Sequence, residues 1–141
     1  MYKPEHFKIQ ELVDRKTFEE YGESAWMFLN PLVLMSLEGL RLFLESPIIV
    51  NNWTIGGKYE FSGFRPRACN VGADYSQHRF GNAFDVKCQK FTPIEILQKI
   101  MNNQDNSLFQ YITTIEDTAY TPSWTHIDCR NIPNRIKVVK P

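Results

Sequence analysis

The chain has 141 residues, of which 43% are hydrophobic and 13% aromatic. This composition is typical of a folded globular protein with a hydrophobic core and excludes a disordered or fibrous chain. Sixteen basic residues balance sixteen acidic ones without long runs of either sign, so the charge pattern favours neither a nucleic-acid nor a membrane partner. We expect a single domain over residues 1–141 that acts as a monomer.

The first 47 residues are predicted to be mostly helical, and the clearest element is NPLVLMSLEGLRLFLESP. Asn30 is placed to cap its first turn, Pro31 suits the first helical position, and Pro47 predicts its end. An apolar stripe follows the helical spacing. It consists of Leu32, Val33, Met35, Leu37, Leu40 and Phe43.

The rest of the chain is predicted to contain more strands than helices. PIIVNNW predicts a strand, Gly56–Gly57 a turn, and KYEFSGFRP a returning strand or a loop. A helix is predicted in FTPIEILQKIMNNQ, with Thr92 as N-cap, Pro93 at the first helical position and Glu95 as the capping-box acid. LFQYITTIE and SWTHIDC predict two further strands. We therefore predict an α+β fold with N-terminal helices packed on a small antiparallel sheet.

Targeting and redox signals are sparse. The N-terminal segment MYKPEHFKIQELVDRK lacks the apolar stretch of a signal peptide, and no apolar run of about 18 residues occurs. The three cysteines, Cys69, Cys88 and Cys129, form no CxxC pair. We expect them to be reduced and structural, not zinc ligands.

Two segments supply candidate metal ligands. In an extended segment 83–88, alternation places Asp85 away from the apolar face, and in SWTHIDC it places His126 and Asp128 on one face. His78 precedes a glycine turn through which the chain can fold back towards Asp85. Two imidazoles and a carboxylate would form a three-ligand zinc site whose fourth position holds water. Such an ion lowers the pKa of its water towards about 7 and polarises a carbonyl group, as in peptidases.

The spacing alone leaves a simpler interpretation open. A lone histidine is more often a surface or core residue than a ligand, and neighbouring histidine and aspartate residues also arise by chance. The remaining histidine, His6, lies in a polar N-terminal segment, and we expect it to be structural.

The motifs resemble those of the zinc D-alanyl-D-alanine carboxypeptidases and peptidoglycan endopeptidases (peptidase family M15). SQHRFGNAFDV is similar to the family signature S-x-H-x-x-G-x-A-x-D. WTHID resembles the last metal-binding strand, SGFR the segment before the first ligand, and HFKIQEL the opening of phage-associated members. The resemblance covers nearly the whole chain and implies the hedgehog/DD-peptidase fold. The residues that match the signature are Ser76, His78, Gly81, Ala83 and Asp85.

The resemblance also implies roles for individual residues. His78, Asp85 and His126 take the positions of the three Zn²⁺ ligands. Arg65 takes the position of an arginine that lies beside the substrate and stabilises its carbonyl or binds a carboxylate. A surface salt bridge is the alternative for Arg65.

Three further residues are expected around this site. Ser76 would shape the turn that presents His78. Trp124 would pack near the substrate or in the core, and Asp128 would orient His126 or Arg130 or remain a solvated surface residue.

One position departs from the family pattern. Many members carry an acidic residue three positions before the last histidine, as general base, and here that position is Ser123. A serine hydroxyl is neither acidic nor basic near pH 7. Either Glu116 is the base, with Asp117 and Asp128 as lesser candidates, or the base is lost.

The resemblance predicts a zinc metallopeptidase that cleaves a peptide bond in peptidoglycan stem or cross-link peptides, as a carboxypeptidase or an endopeptidase. We expect a protein made in the cytoplasm, encoded by a phage or prophage, that acts on the cell wall as a lytic enzyme or virion component. The alternatives are a catalytically silent zinc-binding module, binding cell-wall peptide or structural in a virion, and a structural domain without metal.

Overall fold

The computed structural model describes residues 1–130 and 135–141. Its helices are α1 (Arg15–Tyr21), α2 (Pro31–Leu44) and α3 (Pro93–Met101). Its strands are β1 (Ile48–Ile49), β2 (Ala83–Cys88), β3 (Thr114–Glu116), β4 (Thr125–Asp128) and β5 (Lys137–Val139). Short 3-10 helices cover Ile9–Glu11, Gly22–Phe28, Trp53–Ile55, Gln77–Phe80 and Ser107–Phe109. The predicted α+β class is confirmed.

The strands form a single sheet in the order β1–β2–β4–β3–β5. Neighbouring strands are antiparallel except for β3 and β5, which run parallel with Ile115 opposite Val138. The sheet is therefore mixed, and the prediction of an antiparallel sheet is wrong. The difference arises from β5, a short and largely exposed edge strand whose sequence, KVV, has too few residues to show an alternating pattern.

The predicted start of α2 is confirmed, and its predicted end is three residues late. The Asn30 side chain accepts a hydrogen bond from the Leu32 N–H at 2.9 Å, and Pro31 is the first helical residue. The helix ends at Leu44 because Glu45 adopts the left-handed conformation (φ 47°) before Pro47 is reached.

Most, but not all, residues of the apolar stripe predicted for α2 pack in the hydrophobic core. Leu32 is 40% exposed, so its assignment to the buried face is wrong, whereas Leu34 is fully buried. The buried residues of α2 pack with those of the sheet and of α3 in one hydrophobic cluster. The apolar members of that cluster from these elements include Val33, Leu34, Leu37, Leu40, Phe84, Ile96, Ile100, Ile115 and Ile127.

The α3 capping box forms as predicted. The Glu95 carboxylate accepts a hydrogen bond from the Thr92 N–H at 2.7 Å, and the Thr92 hydroxyl accepts one from the Glu95 N–H at 3.4 Å. This cap satisfies backbone donors that the first helical turn leaves without partners. The buried face of the helix then carries Ile96 and Ile100 into the core.

Two predicted strands are shorter than expected, and one segment is a loop. In LFQYITTIE only the last three residues form a strand, because Asn106 accepts a hydrogen bond from the Leu108 N–H and starts a 3-10 helix that buries Phe109. PIIVNNW pairs only through β1, and KYEFSGFRP is an irregular loop.

Within the described ranges, no single helix is long and apolar enough to cross a bilayer. Arg15–Phe28 and Pro31–Leu44 meet the length and composition criteria together only as a pair bent by 92°. The three cysteines are free thiols, of which Cys129 is buried.

Candidate metal centre

Two of the candidate ligands are placed by strand pairing. Asp85 of β2 lies directly opposite His126 of β4, and residues opposed in this way project from the same face of a sheet. Their neighbours Phe84 and Ile127 are also opposed, and both are fully buried in the core on the other face. The apolar alternation of the two strands therefore fixes the two polar side chains beside each other.

His78 reaches the same point from a turn. It lies in the 3-10 helix Gln77–Phe80, which ends at Gly81 and leads directly into β2. Gly81 has a φ of +66°, and a Cβ atom there would lie 1.9 Å from the carbonyl oxygen of Phe28. Only glycine fits this close turn, which folds the ring of His78 back towards Asp85.

The three side chains converge on one buried point. His78 Nε2 lies 3.2 Å from Asp85 Oδ1 and 3.3 Å from His126 Nδ1, and His126 Nδ1 lies 2.9 Å from Asp85 Oδ1. None of the three residues is more than 6% exposed.

Hydrogen bonds on the far side of each ring set the tautomers. His78 Nδ1 lies 2.8 Å from the carbonyl oxygen of Gly63, which can only accept, so Nδ1 carries the proton and leaves the Nε2 lone pair facing the cluster. His126 Nε2 lies 3.1 Å from Asp128 Oδ2, to which its N–H donates, so that Nδ1 faces the cluster. Partners of this kind orient metal-binding imidazoles in proteins.

This arrangement fits a metal ion. The three ligand atoms are separated by 2.9–3.3 Å, close to the edge of about 3.3 Å expected for a tetrahedron with metal–ligand bonds of about 2.0 Å. Two imidazole nitrogens that face each other at this distance repel when neither carries a proton, and a cation between them removes the repulsion. The buried group of His78, Asp85 and His126 could therefore hold a metal ion.

Without a metal ion, the cluster holds a proton on one of its two imidazoles. Burial lowers the pKa of His126, but hydrogen bonds to Asp128 and Asp85 outweigh it and raise that pKa to about 9. Burial lowers the pKa of His78 by more than the Asp85 carboxylate raises it. Burial raises the pKa of Asp85, yet the two imidazoles bring it well below its usual range. The imidazole that carries the additional proton is therefore that of His126, at the Nδ1 atom that faces the cluster.

Arg65 lies against a ligand. Its Nη2 donates to Asp85 Oδ2 at 2.9 Å, its Nε donates to the Phe61 carbonyl at 2.6 Å, and its side chain is only 11% exposed. The surface salt bridge considered as its alternative is therefore not what forms. Arg65 fixes the Asp85 oxygen that faces away from the histidines.

Asp128 is buried behind His126. It accepts from the His126 ring and from the Arg130 guanidinium, whose Nε lies 2.9 Å from both carboxylate oxygens. Burial raises the pKa of Asp128, but His126 and Arg130 lower it further, so the carboxyl group stays ionised. The solvated surface position considered for Asp128 does not occur.

Among the candidate bases, Glu116 lies beside the His126 nitrogen that faces the cluster, whereas Asp128 contacts the Nε2 that faces away from it. Its Oε1 is 3.8 Å from His126 Nδ1, and burial raises the pKa of this half-buried carboxyl group. Asp117 instead accepts a hydrogen bond from the Ala119 N–H at 2.9 Å and does not line the cleft. Ser123 is exposed.

The cluster opens into a cleft of about 910 Å³. Its wall includes Glu116, Arg65 and Arg130, together with the predicted neighbours Ser76 and Trp124. Ser76 precedes the 3-10 helix of His78, although its side chain forms no capping hydrogen bond. The cleft thus gives solvent and ligands access to one side of the buried cluster.

Sequence reasoning missed two contributors. The carbonyl of Gly63 holds the His78 ring, but a backbone acceptor leaves no mark in side-chain patterns. Lys87, which shares a strand face with Asp85, donates to the carbonyls of Asp85 and Val50 and to the Ser62 hydroxyl. Burial lowers its pKa to about 8. Its position two residues from Asp85 was the available signal.

His6, expected to be structural, lies away from this centre. It contacts Glu38 of α2, with 2.5 Å between Nδ1 and Oε1.

No protein-family model matches the chain, and comparison with curated proteins and with solved structures gives no significant match. The resemblance noted in the sequence therefore stays a prediction, and the geometry of the site carries the functional argument.

Proposed function

We propose that the protein is a zinc-dependent peptidase with the hedgehog/DD-peptidase fold that hydrolyses a peptide bond in peptidoglycan stem or cross-link peptides. The observation that carries this proposal is the position of Glu116. Its carboxylate lies 3.8 Å from a ligand nitrogen of a two-histidine, one-aspartate cluster, at the wall of an open cleft. A general base beside a three-ligand metal centre is the arrangement that metal-assisted hydrolysis requires.

Zinc is the metal favoured by this donor set. Two imidazole nitrogens and one carboxylate oxygen match the ligands of catalytic zinc sites, whereas magnesium and calcium prefer oxygen ligands alone. When bound, zinc would lower the pKa of a water molecule and polarise the substrate carbonyl.

The proton transfers of the reaction would be carried out by Glu116. Glu116 accepts a proton from the attacking water at its carboxylate as the new C–O bond forms at the scissile carbon. The same carboxylate then returns the proton to the amine nitrogen as the C–N bond breaks. Burial raises the pKa of Glu116 and so brings it closer to neutral pH, where one carboxyl group can serve as both base and acid.

Arg65 has a positioning role in this scheme. Its hydrogen bond to Asp85 leaves Oδ1 of that carboxylate turned towards the histidines. The expected contact of Arg65 with the substrate carbonyl remains a proposal. Arg65 lines the cleft, so a bound peptide would pass close to its guanidinium.

The test is hydrolysis of defined muropeptides. Zinc-loaded protein is incubated with disaccharide–pentapeptide muropeptides and their cross-linked dimers, and the products are separated by chromatography and weighed by mass spectrometry. We expect two products whose summed mass exceeds that of the substrate by one water molecule, in molar amounts greater than that of the enzyme. Zinc bound at one ion per chain without turnover would contradict the peptidase and favour a silent zinc-binding module.

A further inference from the structure

Arg79, the residue after His78, holds a long irregular segment by its backbone. Its guanidinium donates to four carbonyl oxygens, with distances of 2.7 Å from Nη2 to the Cys69 oxygen and 2.8 Å from Nη1 to the Arg67 oxygen. Nε donates to the Ala73 oxygen at 3.1 Å and Nη1 also to the Pro66 oxygen at 3.5 Å. We name residues 66–75 the wall segment.

The wall segment has little else to hold it. It contains no helix or strand. Within the part of the chain that the structure describes, its backbone hydrogen bonds join it only to itself and to Ser76, as in Cys69 N–H to Pro66 and Ser76 N–H to Ala73. An irregular segment with so few backbone bonds opens easily unless a side chain restrains it. Arginine suits this task because its planar guanidinium carries five N–H donors.

The same segment forms part of the cleft beside the metal centre. Residues 71–75 all line the cleft and are all exposed, and the Tyr75 side chain is 86% exposed. Gly72 lies so close to Arg65 that an added Cβ would be 2.6 Å from Nη1, and its φ of +79° also favours glycine. Arg65 in turn holds Asp85. The wall segment thus packs on the residue that orients a metal ligand.

We propose that Arg79 is a positioning residue that fixes the wall segment as the substrate-binding wall of the cleft. This inference rests on the proposed peptidase function for the identity of the substrate, a peptidoglycan peptide. His78 and Arg79 are adjacent in sequence but have different roles. The His78 imidazole faces the metal centre, and the Arg79 guanidinium holds the wall segment, against which the peptide would lie. Loss of the guanidinium would weaken substrate binding and leave the reacting groups in place.

The experiment compares Arg79→Ala and Arg79→Lys with Arg67→Ala. Arg67 is the matched control because it lies in the wall segment, is exposed and carries the same charge, while only its backbone carbonyl takes part in the contact. Three quantities are measured for each protein: zinc affinity, hydrogen exchange of the wall-segment amides, and kcat and KM on cross-linked muropeptide dimers. Arg79→Lys keeps the charge and the aliphatic stem, so it guards against loss of folding in the alanine variant.

We expect Arg79→Ala to exchange its wall-segment amides at least about tenfold faster and to raise KM about tenfold, as loss of a charged hydrogen bond implies. Its kcat and zinc affinity should match the wild type, and Arg79→Lys should lie between the two. Arg67→Ala should match the wild type in amide exchange and in zinc affinity, because its backbone carbonyl still accepts from Arg79. Unchanged exchange in Arg79→Ala would overturn the proposal, as would weakened zinc binding without faster exchange. Failure of the wild type to cleave muropeptides would instead count against the peptidase, and exchange would still decide the role of Arg79.

Discussion

The residues that the structure describes form two histidine–carboxylate sites, and the two sites differ in kind. The His6 ring contacts the Glu38 carboxylate of α2 at 2.5 Å, the His6 backbone N–H donates to the same carboxylate at 3.4 Å, and the imidazole side chain is 36% exposed. At the other site, His78 and His126 share Asp85, and their side chains are 2% and 4% exposed. Over residues 1–130 and 135–141, His78, Asp85 and His126 are the only group of three ligating side chains close enough to hold a metal ion.

The difference shows what distinguishes a metal centre from a hydrogen bond. Proximity of a histidine to an acid is common to both sites. Among the described residues, only the second site fixes the far nitrogen of each ring, through Gly63 and Asp128, so that both free nitrogens face one point. Convergence of lone pairs, set by the surrounding hydrogen bonds, is therefore the better criterion for a metal site.

The largest expected effect is the loss of zinc affinity when one of the three ligands is removed. His78→Ala removes one of three ligand atoms, and we expect zinc affinity to fall by more than about 100-fold, beyond the effect of an outer partner. His6→Ala is the matched control and should bind one zinc ion with wild-type affinity. Isothermal titration with zinc, at constant buffer, measures both. Equal losses in the two variants would contradict the distinction between the sites.

The second prediction separates the base from the metal site. Glu116→Gln keeps the shape of the side chain but cannot accept a proton, so we expect kcat on muropeptides to fall by about 10²–10⁴-fold with zinc still bound. Asp117→Asn makes the same change one residue on, outside the cleft, and should keep wild-type activity. If Asp117→Asn lost activity and Glu116→Gln kept it, the roles of the two acids would be reversed.

The third prediction concerns Asp128, the carboxylate that holds the outer nitrogen of the His126 ring. Asp128→Asn removes the charge that holds the His126 ring, and we expect zinc affinity to fall by about 10–100-fold. Asp74→Asn is the control, since Asp74 is exposed in the cleft and contacts no ligand. Competition with a chromophoric chelator gives both affinities. A wild-type affinity for Asp128→Asn would show that the ring needs no such support.

The fourth prediction is a pH dependence of zinc binding. The pKa of His126 is raised to about 9 in the metal-free protein, so its ring is protonated at neutral pH and must release that proton when Nδ1 binds a metal ion. Zinc affinity should therefore rise with pH, by about tenfold from pH 7 to pH 8, and level off above pH 9. The chelator competition repeated across this range measures it. A flat profile would contradict protonation of His126.

The smallest expected effect is a loss of stability when the contact between His6 and Glu38 is removed. His6→Ala removes the ring that contacts Oε1 of Glu38, whose side chain is only 8% exposed, and leaves the backbone N–H of residue 6 on Oε2. We expect the free energy of unfolding to fall by about 1–3 kcal/mol, because one oxygen of a buried carboxylate loses its partner. Urea unfolding measures it, with zinc affinity followed in the same variant. Full stability of His6→Ala would indicate that water replaces the imidazole.

Local sequence signals predicted much of the fold. The caps Asn30 and Thr92 marked both long helices, because capping depends on residues that are neighbours in sequence. The lengths of the strands were poorly predicted, and β5 was missed, because a strand is defined by its partner. β5 pairs with β3, whose middle residue Ile115 lies more than twenty positions earlier.

In the candidate site too, the features set by local sequence were predicted and those set by distant parts of the chain were not. Alternation in β2 and β4 predicted which faces carry Asp85 and His126, and the pairing of the two strands places them opposite each other. The hold of Arg65 on Asp85 and the clamp of Arg79 on the wall segment lay beyond sequence reasoning. Both depend on where a loop backbone passes in space, which no residue spacing encodes.

The most direct test is a crystal structure of the zinc-soaked protein, with anomalous diffraction recorded on both sides of the zinc absorption edge. The account predicts one strong anomalous peak at about 2.0–2.2 Å from His78 Nε2, His126 Nδ1 and an Asp85 oxygen. Ordered protein with no peak at that point, or with its main peak beside His6 and Glu38, would contradict it.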